Sequence, residues 1–297
     1  MEKQINISVA IAVYNKEDSI LSTLNSVFNQ TYPVSEIILV NDGSTDTSEA
    51  VILSIKDSRI KYFSQENQGA SSARNKAISH CSYEYIALLD ADDLWQSTYL
   101  EEIVKLIENY TEQRVFSTAI EIENKRNKVN PARYSILKHQ KTGVYNYFEA
   151  SLLQSLLHSS STVLHKSVFE KVGLFDTKIK SGEDTDMWVR IGLEYPIVFT
   201  NKALVRYTNA PTGLYQTKVP IKNRFSFVKF KKQEKNNIAL KKFLDLNRFS
   251  LAIYASKAGD TENYNLLKSS ITKQNLSIKK RIILELPAWL IKILDKI

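Results

Sequence analysis

The chain has 297 residues, 43% hydrophobic and 24% charged, enough for a sizeable core in one large domain or two small ones. A single cysteine, Cys81, excludes an intrachain disulfide and points to a reducing compartment; Met1 to Asn6 has no apolar signal core, and no apolar stretch approaches the roughly 20 residues that span a bilayer. The net charge of +8 is uneven: residues 1–214 hold 22 Lys and Arg against 26 Asp and Glu, residues 215–297 hold 18 against 6, and a step this large predicts two regions with different partners.

The first half alternates strand and helix signals. Ile5 to Tyr14 is an apolar strand candidate, and Ile20, Leu21, Leu24, Val27 and Phe28 then repeat on one face of a helix that Pro33 closes off. Glu36 to Val40 reads as a second buried strand. Asn41 to Asp46 supplies turn residues, and Asp46 with Glu49 predicts a capping box for a helix through Val51, Ile52 and Ile55. Arg59 to Ser64 is a third strand, Gly69 to His80 a helix of small residues, and Glu84 to Leu89 a fourth strand. Strands and helices alternating at this spacing predict a parallel sheet with right-handed crossovers. The middle is less regular, with strands expected at Arg114 to Glu123 and Ser159 to His165, a polar loop or hairpin at Asn124 to Pro131, and helices at Ser167 to Val172 and Glu183 to Tyr195. Beyond about Tyr215 the pattern is helical, basic and poor in glycine.

The chemistry concentrates at strand ends. Tyr85 to Leu89 runs straight into Asp90-Ala91-Asp92-Asp93, which delivers carboxylates to the sheet rim where open α/β sheets bind ligands. Carboxylates packed so closely repel one another unless a cation sits among them, and the expected cation is a hard divalent ion, Mn2+ or Mg2+. A bland alternative is an Asp-rich turn before a helix. Asp42 follows the second strand, with Gly43 to turn the chain, and belongs at the same edge. Asn67 to Asn75 opens the third helix with small residues that favour a close anion; Arg74 there either holds a diphosphate, organises the Asp cluster, or makes a surface salt bridge. Glu183 and Asp184 start a further helix, where acids ordinarily complement the dipole but also supply a general base beside a nucleotide site.

Five ordered segments, Ser8 to Lys16, Ile38 to Asp46, Asn67 to Asn75, Leu88 to Asp93 and Gly182 to Asp184, together with Val172 to Asp176, resemble the successive motifs of family 2 glycosyltransferases with the GT-A fold. Order and spacing agree over residues 5 to about 207. The resemblance implies an α/β fold of Rossmann type, a mixed and mostly parallel sheet with flanking helices. It divides the chain into a catalytic domain over 1–214 (a nucleotide-binding half to about 110, an acceptor half over 111–214) and a basic helical region over 215–297. It implies that Ala12 and Tyr14 line a nucleoside pocket with Glu17 nearby, that Asp42 bonds a uracil edge, and that Asp90, with Ala91 beside it, contacts ribose or sugar. By the same resemblance Asp92 binds Mn2+ or Mg2+ through the diphosphate, Asp184 is the catalytic base, Glu183 positions acceptor or base, and Trp188 supports that pocket or simply fills the core. One departure stands out: many relatives carry a His in a Tyr-Arg-x-His-like segment, whereas Val205-Arg206-Tyr207-Thr208-Asn209 has none.

The implied reaction is inverting transfer of a sugar from a UDP-sugar to a hydroxyl of a glycan or lipid-linked acceptor, in a cytoplasmic protein peripheral to the inner face of the cell membrane, with no nucleic acid as partner. A non-catalytic sugar-nucleotide-binding protein and a nucleotidyltransferase are the competing readings; Tyr14-Asn15-Lys16-Glu17 lacks the glycine-rich phosphate loop of the latter. The tail from Lys279 to Ile297, with Trp289 and Pro287, reads either as an interfacial helix on an anionic membrane or as a helix packed on the catalytic domain. His158 and His165 lie in the irregular region expected to select the sugar, each more readily structural.

Overall fold

The structure, a computed structural model, describes residues 4–124, 128–136, 141–208, 219–287 and 290–291. Asn209, Tyr215 at the expected boundary, and Trp289 of the tail lie outside the described residues. Strands β1 (Ile7–Val13), β2 (Glu36–Asp42), β3 (Ile60–Gln65) and β4 (Tyr85–Asp90) alternate with helices α1 (Ile20–Phe28), α2 (Ser48–Ser54) and α3 (Ala70–Ser79). They form the parallel half of one sheet, ordered β3-β2-β1-β4. Antiparallel β9 (Thr162–His165) then joins β4 to β6 (Val115–Glu123), and β10 (Ile197–Tyr207) runs parallel to β6. Short β5 (Leu94–Trp95), β7 (Val129–Pro131) and β8 (Thr142–Tyr145) pair antiparallel at the margins.

The long strands read as continuous apolar runs because both faces of the sheet are covered. Side chains alternate across a strand, so Ile7, Val9, Ile11 and Val13 of β1 enter one core with Ile20, Leu24 and Val27 of α1 and Ile103 and Leu106 of α4 (Tyr99–Asn109). Ala10, with Ile38 and Val40 of β2, enters the other, against Ala73 and Ala77 of α3. Alanine at those helix positions lets α3 lie close on β1 and β2.

On this second face sit α5 (Tyr147–Ala150), α6 (Lys166–Val172), α7 (Glu183–Glu194) and the C-terminal helices α8 (Ile238–Ala258), α9 (Thr261–Ser269) and α10 (Ile278–Glu285). The ring of Phe243 on α8 packs 5.3 Å from Tyr147 and 5.7 Å from Phe148, and Leu240, Leu244 and Leu284 are fully buried in the same core. The basic region therefore shares a core with the sheet. No helix among the described residues is long and apolar enough to cross a membrane.

Several local expectations change. The capping box does not form: α2 is capped at Thr47, Asp46 accepts from the backbone of Ser48 (3.0 Å) and Glu17 (3.1 Å), and Glu49 accepts instead from Tyr62 (2.8 Å). Ser159–Ser161 is a 3-10 turn rather than the start of β9, because the ring Nδ1 of His158 accepts from the Ser160 backbone and caps it. Residues 221–235 form short 3-10 turns before α8 begins. The long β10 is hidden in sequence by Asn201 and Lys202, which sit where the register against β6 shifts.

Candidate active site

Parallel pairing brings the strand-end carboxylates together. Ala12 pairs with Val40 on one side and Asp90 on the other, so the ends of β1, β2 and β4 share one rim. The turn after β1 is locked to the turn after β2: Asn15, at φ +52°, donates its backbone N–H to Ser44 Oγ (3.0 Å), while its Oδ1 accepts from the Thr45 backbone (2.8 Å). Asn tolerates that left-handed conformation better than most residues. Tyr14 is exposed on this rim, and Glu17 accepts from the Thr47 backbone at 2.8 Å, holding the start of α2.

Asp42 is buried, and its carboxylate ties β2 to the N-terminus of α3. Oδ1 accepts from Gln65 Nε2 (2.7 Å) and the Gln68 backbone (2.9 Å), and Oδ2 from the Gly69 backbone (2.9 Å). A carboxylate has about four acceptor positions, which leaves Oδ2 one for a ligand donor. Gly43 makes the turn possible at φ +67°: a Cβ there would stand 2.8 Å from the Asn67 backbone nitrogen.

Arg74 is the central charge. It reaches from α3 to donate to Asp90 Oδ1 at 2.7 Å and to Glu183 Oε1 at 3.1 Å, with its guanidinium 5.6 Å from the Phe175 ring centroid. Burial works against its charge, but Asp90 and Glu183 outweigh that and raise its pKa. Burial likewise opposes the charge of Asp90, yet Arg74, His158 and Lys16 hold the carboxyl below its ordinary range. Glu183 goes the other way: burial pushes it up, Asp184 adds to this, and Arg74 only partly opposes it. The two carboxylates that one cation joins are thus tuned apart.

Asp92 pairs with Lys16 Nζ at 2.6 Å, and the Ala91 carbonyl accepts from Ser19 Oγ at 3.0 Å. Asp93 turns away from the rim and is fully buried; it accepts from Ser160 Oγ (2.5 Å) and the Thr208 backbone (3.0 Å). Burial, with Asp90 and Asp92 nearby, pushes its carboxyl well above the usual range. It caps no helix, since α4 starts only at Tyr99; it braces β4 against the end of β10. Thr208, in the segment that lacks a histidine, completes that brace through Oγ1 to the Asp92 carbonyl.

At the start of α7, Asp184 Oδ1 accepts from the Thr185 backbone at 2.6 Å, and the carboxylate opens on a cavity of about 250 Å³. Trp188 is buried edge-on to Phe175 and also lines that cavity. His158 lines it too, half-buried and 4.0 Å from Asp93 through Nδ1, with its pKa lowered by desolvation; His165 instead caps α6. Among the described residues no cluster of three or more His, Cys, Asp or Glu is placed to hold a metal. The donor chemistry nevertheless fits a hard octahedral ion: Asp92 already attracts a cation, and magnesium takes one or two carboxylates, keeps several waters and fills its shell from substrate phosphates.

Sequence patterning finds Asp42, Asp90, Asp92, Glu183 and Asp184 but gives no warning of Lys16, Thr208 or Ser160. Their partners lie 76, 115 and 67 positions away, and no periodicity spans such distances.

Residues 8–173 match the family model described as glycosyl transferase family 2, and the chain belongs to that family, carrying its glycosyltransferase domain. It is 30% identical over 290 residues to an uncharacterized glycosyltransferase of Rickettsia conorii, covering 94% of this chain and 46% of that one. It is 41% identical over 112 residues to the Escherichia coli UDP-Glc:alpha-D-GlcNAc-diphosphoundecaprenol beta-1,3-glucosyltransferase WfaP, covering 37% of this chain and 44% of that one. The chain thus spans under half the length of either relative. The structure of Staphylococcus aureus TarS residues 1–349 with UDP-GlcNAc superposes with a TM-score of 0.70 at 19% identity, over 97% of this chain and 88% of that one, and shares its GT-A fold.

Proposed function

We propose that the chain is an inverting glycosyltransferase that uses a divalent cation and moves a sugar from a UDP-sugar to a hydroxyl of a glycan or lipid-linked acceptor in surface polysaccharide synthesis. The observation that carries this reading is the Arg74 bridge, which joins the strand-end carboxylate Asp90 to the helix-start pair Glu183 and Asp184. In this reading a donor-side carboxylate, Asp90, and an acceptor-side one, Glu183, are held by one guanidinium. UDP as the donor nucleotide is supported by the likeness to WfaP, a UDP-Glc-dependent glucosyltransferase, and to TarS, whose structure holds UDP-GlcNAc.

In this reading Ala12 and Tyr14 flank the nucleoside, with Glu17 holding the adjoining turn, and Asp42 accepts from the uracil edge. Asp90 meets ribose or sugar beside Ala91. Asp92, with Asp90 next to it, would hold Mn2+ or Mg2+, which when bound stabilises the negative charge of the departing diphosphate. Asp184 takes the proton of the acceptor hydroxyl as its oxygen attacks the anomeric carbon from the face opposite the diphosphate. The bond from that carbon to the diphosphate oxygen breaks, its electron pair leaves with UDP, and the configuration inverts. Glu183, held by Arg74, positions Asp184. Placement on a membrane surface is supported by the exposed Ile278 and Ile282 beside Lys279 and Arg281 of α10.

The test is release of UDP from nucleotide sugars, with and without acceptor. Asp184→Asn is expected to lower acceptor-dependent release by about 10²- to 10⁴-fold and to leave UDP binding within about twofold. Equal loss of UDP binding in the folded variant would remove Asp184 from the role of base.

A further inference from the structure

The cavity beside Asp184 is built from two parts of the chain. Gln154, Asp184 and Trp188 form the side contributed by the sheet domain, and Asn247 and Ser250 of α8 with Lys280 of α10 form the other. Its volume of about 250 Å³ lies just below the roughly 300 Å³ at which drug-sized sites begin, a size suited to a single sugar ring. The lining offers hydrogen bonds that the protein does not use itself. Gln154 makes no side-chain hydrogen bond among the described residues, and Asn247 donates to the Phe243 carbonyl (2.9 Å) but keeps its own carbonyl oxygen open. Amide groups around a hydrophobic aromatic wall are what recognise a sugar hydroxyl set.

Lys280 differs from the paired cations of this region. Lys241 pairs with Asp245, Arg248 with Glu234 and Asp245, and Lys268 and Lys273 with Glu285. Lys280 is half-buried against the Phe249 ring, 5.4 Å from its centroid, and has no carboxylate partner among the described residues. A partly desolvated ammonium on the wall of a polar cavity is a counter-ion site for an anion.

We propose that α8 and α10 complete the acceptor subsite and that Lys280 binds an anionic group, phosphate or carboxylate, carried by the acceptor sugar. The assignment of the occupant as acceptor rests on the glycosyltransferase reading through Asp184; the anionic-sugar site itself does not.

The test uses the full chain, titrated calorimetrically with glucose 1-phosphate, glucuronic acid and glucose, beside a parallel titration with UDP. At least one anionic sugar is expected to bind about tenfold tighter than glucose, the worth of one charge-assisted hydrogen bond. Lys280→Gln should erase that preference, the exposed neighbour Lys279→Gln should keep it, and Ser250→Trp, which fills the cavity, should abolish binding of all three sugars while UDP still binds. Equal binding of glucose and both anionic sugars, no binding of any sugar at millimolar concentration, the same loss in Lys279→Gln, or unaltered binding in Ser250→Trp would each overturn the proposal. If the anionic preference follows Lys280 but no acceptor-dependent UDP release is found, the subsite stands and the glycosyltransferase reading falls.

Discussion

Arg74→Met removes the cation that Asp90 and Glu183 share, while keeping a flexible apolar side chain against Phe175. Removing one partner of a buried ion pair costs about 3–5 kcal/mol, because the remaining charge is left uncompensated. Here the side chains of Asp90 and Glu183 are 26% and 13% exposed, so solvent relieves part of the penalty and the lower end, about 3 kcal/mol, applies. At about 2–4 °C per kcal/mol for a large domain, Tm should fall by about 6–12 °C. Glu183 gives the loss its pH dependence. Its pKa is already raised by burial and by Asp184, with Arg74 the opposing influence, so losing Arg74 raises it further. A carboxyl with a raised folded pKa destabilises the fold as pH rises through that value, so the penalty of Arg74→Met should shrink as pH is lowered from 7.5 to 5. Thermal unfolding followed by circular dichroism at both pH values reads this directly. In a double-mutant cycle, Glu183→Gln should recover at least about 1 kcal/mol in the Arg74→Met background, since it removes the orphaned charge. A Tm loss under about 2 °C, or effects additive within about 0.5 kcal/mol, would refute the bridge as an energetic unit.

Glu36 lies at the far end of β2 from the site and accepts from Ser8 Oγ and Lys61 Nζ, both at 2.6 Å, and from the Ser82 backbone at 2.5 Å. Burial opposes its charge but Lys61, Ser8 and Ser82 outweigh it and depress the pKa; its stabilisation is therefore present above the unfolded value near ~4.3 and lost as pH falls through the folded one. Urea unfolding should show Glu36→Gln less stable by about 1.5–3 kcal/mol at pH 7, with the gap narrowing below pH ~4 and transfer kinetics unchanged. Chelation by EDTA should stop UDP release and Mn2+ or Mg2+ restore it, with Asp92→Asn needing at least about tenfold more metal; full activity in EDTA would remove the metal role of Asp92. For the membrane, Ile278→Ser with Ile282→Ser should weaken co-sedimentation with anionic liposomes by at least about tenfold, since burying each side chain contributes about 1.5–3 kcal/mol; equal binding would discard an interfacial α10.

The donor half of the fold was legible because β1, β2 and β4 are buried on both faces and so read as unbroken apolar runs that stop where the site begins. The helix α4 carries the stripe Leu100, Ile103, Val104 and Ile107 at helical spacing but was not among the helices expected. The strand β10 was not legible because its polar bulge breaks the run, nor was β5, which is two residues long. Within the site, residue type and position at a strand end identified Asp90 and Asp92, but not their division of labour with Asp93. That division depends on which way each carboxylate turns: Asp92 toward Lys16, Asp93 toward Ser160 and Thr208. The partner of Arg74 that lies off its own sheet edge is Glu183, 109 positions away, which no local pattern links to it.

The charge step at the C-terminal region first suggests a separate module with its own partner, and packing argues for something more integrated. Phe243 stacks among Tyr147 and Phe148, Leu284 is fully buried, and Tyr264 Oη donates to the Leu284 carbonyl at 2.5 Å, so α10 is held to α9 as well as to the common core. Cutting the chain before α10 would therefore expose that core, and a truncated protein that failed to bind membranes would say as much about folding as about lipid. Part of the positive charge near the core is already matched, with Arg248 and Lys241 both drawn to Asp245. Two neighbouring lysines of α10 are divided by geometry. Lys279 faces solvent next to Ile278 and Ile282, whereas Lys280, one residue on, turns to the cavity that Asp184 shares. Adjacent residues on a helix point about 100° apart, so one short basic run can serve a surface with one lysine and an acceptor with the next.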